Sequence, residues 1–90
     1  MKHVKILDWR ADNFKLARDE LGLSLTDVLD YIRGPYELED IQDSEFMDSY
    51  MPVKNELAHI YNELFIAEDL GYRFQSTYVL YDKLPPKPEV

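Results

Sequence analysis

From Pro52 to Gly71 the chain carries its clearest periodicity. Val53, Leu57, Ile60, Leu64 and Ala67 recur at three- and four-residue steps, and Tyr61, Phe65 and Ile66 widen that stripe. Proline at the first position and glycine at the close suit the two ends of a helix. A face this broad cannot be covered from one side. The spacing therefore predicts a central helix on which other elements pack, or one that also meets a second copy of the chain.

Cover for that helix has to come from the rest of a ninety-residue chain. Asp8 is placed to cap a helix from Trp9 to Leu21, whose stripe is Leu7, Ala11, Phe14, Arg18 and Leu21, with Gly22 as its left-handed stop. Ser24 starts a second helix with Asp27 three positions on, and Leu25, Val28, Leu29 and Ile32 give it one apolar face before Gly34-Pro35. Glu37 to Tyr50 is a weaker helical pattern built on Leu38, Ile41, Phe46 and Tyr50. From Tyr72 the period changes to two, which reads as a strand, although Leu70, Phe74, Thr77 and Tyr81 also fit a helix. The expected fold is mainly α: a compact bundle of about four helices, with a small two-stranded β element pairing residues 3–7 with 72–81. One globular domain should span 1–84, with 85–90 an extended, proline-rich tail.

By area scaling, such a chain buries about two-thirds of its unfolded surface, enough for one core with little to spare, so a homodimer or partner would add stability. No cysteine is present, which removes disulfides, thiolate metal sites and cysteine nucleophiles. Lys5 and Asp8 interrupt the apolar run a secretory signal would need, and no segment approaches the ~20 apolar residues of a spanning helix. A cytoplasmic location and no membrane partner are the expectation.

The net charge of −8 is concentrated. Residues 27–48 hold Asp27, Asp30, Glu37, Glu39, Asp40, Asp43, Glu45 and Asp48 against Arg33 alone, which is −7. Residues 1–26 come to +1 and residues 49–90 to −2. Carboxylates this close repel one another at physiological ionic strength, where screening acts over about 8 Å. Such a cluster reads either as a solvated face that keeps a small protein soluble or as a surface that docks on cations, and solubility alone would not need the clustering.

Leu16 to Leu29, with Leu21-Gly22-Leu23-Ser24 at its turn, resembles the first two helices of a repressor-type helix-turn-helix, and Pro52–Leu64 resembles that fold's closing helix. The resemblance implies a DNA-binding regulator acting through its N-terminal half, an alternative that a basic face built by Lys2, Lys5, Arg10, Lys15 and Arg18, remote from the carboxylates, would favour. It also puts the recognition helix after helix two. There, Pro35 to Tyr50 supplies six carboxylates and no lysine or arginine. Phosphates are bound by cations, so direct nucleic-acid binding by this segment is not expected.

Other chemistry finds little material. Read as a calcium loop from Glu37, the acidic segment has Ile41 at position five and Gln42 where the turn needs glycine. Glu56-Leu57-Ala58-His59, with Glu63 a turn further on, is one Glu-x-x-His unit where di-iron bundles use two. Only two histidines are present, and the three glycines are scattered, so neither a histidine-based catalytic set nor a phosphate loop is expected. No cofactor, metal or catalytic residue is anticipated. The sequence points to a small acidic, non-enzymatic interaction protein whose segment 27–48 docks on a basic surface of a partner. A nucleic-acid-binding protein suits that description, blocked by charge mimicry as by an inhibitor from a phage or mobile element.

Overall fold

The structure, a computed structural model, describes residues 3–78. In chain order it contains β1 (Lys5–Leu7), α1 (Ala11–Leu21), α2 (Leu25–Tyr31), α3 (Leu38–Ser44), α4 (Pro52–Ala67) and β2 (Tyr72–Phe74). The fold is mainly α, with four helices and one small sheet. β1 and β2 pair in parallel, Lys5 opposite Tyr72, Ile6 opposite Arg73 and Leu7 opposite Phe74. All four helices form the crossover between them, as parallel pairing requires a long connection. The expected strand over 72–81 is shorter: it ends at Phe74, and residues 75–78 are irregular, because β1 offers partners only through Leu7. Residues 79–81 and the tail at 85–90 lie outside the described residues.

α4 is the central element, packed against α1, α3 and β2. Its buried face differs from the expected stripe. Val53, Lys54, Leu57, Ala58, Ile60, Tyr61 and Phe65 are inside, Leu64 is half-buried, and Ile66 and Ala67 face solvent. The face is centred on Leu57, Tyr61 and Phe65, because the two large rings pack against Phe14 of α1 and Phe74 of β2. That rotation brings Lys54, one heptad before Tyr61, onto the core side.

α1 begins at Ala11, two residues later than expected, and Asp8 is not its cap. Trp9 is buried, and its indole N–H donates to the Gln75 carbonyl at 2.8 Å, which ties this stretch to the chain beyond β2. Arg10 takes the extended cap position, while the Asp8 carboxylate accepts from the Asn13 side chain at 2.7 Å. Gly22 ends the helix at φ 67°, the left-handed stop expected of it. In α2 the Ser24 hydroxyl accepts from the Asp27 N–H, and the Asp27 carboxylate accepts from the Ser24 N–H, both at 3.0 Å. This is the capping box read from the sequence.

Gly71 does not close α4. Asp69 holds the left-handed position there, at φ 54°. Gly71 instead permits a close approach: a Cβ on it would stand 2.9 Å from the His3 carbonyl oxygen, where β1 enters the sheet. On the other side of the sheet, Asn62 of α4 covers the edge of β2. Its Oδ1 accepts from the Phe74 N–H at 2.7 Å, so that backbone donor is satisfied without a further strand.

Candidate functional site

The eight carboxylates of the acidic segment do not form one surface. Asp27 and Asp40 close the starts of α2 and α3; Asp40 accepts from the Glu37 N–H at 2.8 Å. The backbone and hydroxyl of Ser24 hold the Asp27 carboxyl below its ordinary value. Glu45 and Asp48 turn inward to α1. Glu45 meets Arg18 through two bonds, Nε to Oε2 at 2.7 Å and Nη2 to Oε1 at 3.0 Å. The two side chains are only 17% and 7% exposed. Hydrogen bonding to Glu45 raises the Arg18 guanidinium above its usual value, and the remaining Nη1 donates to the Leu23 carbonyl at 3.1 Å. Asp48 accepts from the Ala11 N–H at 2.9 Å, supplying the capping contact expected of Asp8.

Asp30, Glu39 and Asp43 take part in none of these contacts. Asp30 is exposed on α2, three residues after Asp27. Glu39 and Asp43 stand one turn apart on the same side of α3, the helix at the position a recognition helix would occupy. Glu37 is exposed at the start of that helix. The remaining charge is therefore narrower than the sequence suggested and sits mainly along α3.

What the charge pattern did not reveal is the apolar surface beside it. Phe46 is 82% exposed and Met47 44%, directly after Asp43 and Glu45, while Leu38 and Tyr50 are also open. The apolar spacing places Phe46 in a helical stripe with Leu38, Ile41 and Tyr50. Because α3 stops at Ser44, after fewer than two turns, Phe46 falls beyond the helix and faces water.

Lys54 is the second residue missed. Fully buried, it donates from Nζ to the Met47 carbonyl at 2.6 Å and lies 5.4 Å from the centre of the Phe14 ring. Burial pushes its ammonium below the ordinary lysine value, with Asp48 opposing. The unfolded chain thus binds more protons than the folded one between the lowered and ordinary values, so Lys54 adds stability as pH rises through that window. Lys54→Met is expected to cost about 1–3 kcal/mol at neutral pH through the orphaned carbonyl. The same variant should also lose the alkaline rise. Urea denaturation from pH 7 to 10.5 measures both, and a persisting rise in the variant would refute the assignment.

The cations proposed for a DNA-binding face are largely neutralised in place. Arg18 is held by Glu45, Lys15 lies 2.9 Å from Asp19, and Arg10 lies 3.3 Å from Asp8. His59 and Glu63 approach to 3.5 Å on the exposed side of α4 and line an open groove with Tyr31, Arg33, Glu56, Ile60 and Leu64. Among the described residues, no three histidine, cysteine or acidic side chains converge as metal ligands would, and no helix is long and apolar enough to cross a membrane. In comparisons with known proteins, no family model, no curated protein and no solved structure matches the chain.

Proposed function

We propose that this chain is a non-enzymatic interaction protein that docks on a basic surface of a partner protein through α3 and its flanking residues. One observation carries the reading: exposed Glu39 and half-buried Asp43, whose carboxylates make no hydrogen bond or ion pair among the described residues, lead along α3 to a side chain as apolar and exposed as Phe46. Fields from clustered carboxylates speed encounter with a cationic surface and reject anionic ones, and an apolar neighbour adds area that desolvates on contact. A nucleic-acid-binding protein whose groove the carboxylates occupy fits this chemistry.

The test is affinity capture at low and moderate salt with wild type and the double variant Glu39→Lys/Asp43→Lys. Basic proteins should be retained by wild type in a salt-sensitive manner, and the variant should lose roughly tenfold or more in affinity for them. Duplex DNA titrated directly should not bind tightly. Retention of the same proteins by both forms would refute the docking reading.

A further inference from the structure

The segment from Glu45 to Asp48 is fastened at nearly every residue, yet its largest side chain points outward. Glu45 is held by Arg18 at 2.7 and 3.0 Å. The N–H groups of Phe46 and Met47 donate to the Asp43 carbonyl at 3.1 and 2.9 Å. The Met47 carbonyl accepts from buried Lys54, and Asp48 receives the Ala11 N–H at the start of α1. Contacts to α1, α3 and α4 thus fix the backbone on both sides of a phenylalanine that is 82% exposed. A loop exposing an aromatic ring by default would not be pinned in this way.

We propose that Phe46 is a preorganised anchor that inserts into an apolar cleft flanked by lysine or arginine on a basic protein partner. This inference rests on the docking reading above and names the residue that dominates it. Rigid aromatic side chains are the usual energetic centres of interfaces, and a backbone already fixed has little ordering entropy left to lose on binding. Charge selects the occupant. The Phe46 N–H donates to the Asp43 carbonyl, and Glu39 stands one turn before Asp43 on α3, so a two-fold pairing of this face with a second copy would set carboxylates against carboxylates. A nucleic acid or an anionic lipid surface would be repelled likewise. A cationic protein surface is attracted.

Two labelled synthetic peptides test this by fluorescence anisotropy: an amphipathic helix of leucine and lysine, and a peptide of equal charge with serine for leucine. The leucine–lysine peptide should bind wild type about tenfold more tightly than its serine counterpart. Phe46→Ala, at a position too exposed to disturb folding, should weaken the leucine–lysine peptide by about 30-fold and the serine peptide by less than about twofold. Glu39→Lys/Asp43→Lys should weaken both. Equal binding of the leucine–lysine peptide by Phe46→Ala and wild type, or no binding of that peptide, overturns the anchor. In the first case, a loss in the charge-reversed variant leaves the docking reading standing, and no loss removes it too. Sedimentation showing a wild-type dimer that Phe46→Ala dissociates would also overturn the proposal, since a second copy would then cover the ring.

Discussion

Phe14→Ala is expected to remove about 3–5 kcal/mol of stability, the range for an aromatic ring deleted from a closed core. Phe14 is fully buried, stacked on Phe74 at 4.5 Å between ring centres, edge-on to Trp9 at 6.2 Å and tilted against Tyr61 at 6.4 Å. The ammonium of Lys54 faces the same ring. One side chain thereby joins α1 to α4, β2 and the stretch before α1, and none of these neighbours can close the cavity without breaking its own contacts. A chain of this length has roughly 5–13 kcal/mol in total. The melting temperature should fall by about 12–40 °C, at 4–8 °C for each kcal/mol. Thermal denaturation followed by circular dichroism measures this, and a fall below about 5 °C would mean that α1 is not seated on α4 and β2 as described.

Glu45→Ala is expected to cost a similar ~3–5 kcal/mol, for a different reason. Removing the carboxylate leaves the Arg18 guanidinium largely enclosed, with the Leu23 carbonyl as its remaining hydrogen-bond partner among the described residues. Tyr61, close by, supplies no countercharge. Its hydroxyl is buried without a hydrogen bond among the described residues, and its burial disfavours ionisation, so it offers no compensating negative charge. Replacing both members of the pair, as in Arg18→Leu/Glu45→Met, should recover most of the loss, because well-packed apolar residues do about as well as a buried ion pair. Glu39→Ala should stay within about 0.5 kcal/mol of wild type, as expected of an exposed side chain. Urea titration of the four proteins checks the set, and equal costs at Glu39 and Glu45 would overturn the division between them. That division matters for any study of binding: charge reversal at Glu45 or Asp48 would report on folding, whereas reversal at exposed Glu39 reports on the surface.

Much of the fold was legible in the residues. The Ser24–Asp27 box, the Gly22 stop and Pro52 at the head of α4 are local signals, and local physics decides each of them; the switch to period two at Tyr72 marks where β2 starts, while its pairing with β1 sets where it ends. Reading failed where a distant group decides. Asp8 is a reasonable cap by composition, but Asp48, 37 residues away, reaches the helix end and displaces it from that task. Lys54 reads as solvated because lysine nearly always is, although its position a heptad before Tyr61 was a sign that it shares that column. The acidic segment was correctly seen as concentrated. Its division into structural and free carboxylates depends on which ones face α1, and charge counting carries no such information. Phe46 was hidden by a helix that ends sooner than its apolar spacing suggests.

The parallel pairing of β1 with β2 bears on the way this chain is made. Trp9 and Gln75, joined by a hydrogen bond beside that pairing, are 66 residues apart, so the sheet cannot form until nearly all the helical sequence between them exists. Local helices form quickly, while a contact across so long a loop must first overcome its closure entropy. On the ribosome, β1 emerges first and waits for a partner that is among the last of the described residues to appear. Val4 and Ile6, exposed even in the finished fold, are then an unpaired apolar edge. The interval between synthesis of Leu7 and of Phe74 is when the nascent chain is most open to pairing with the wrong strand.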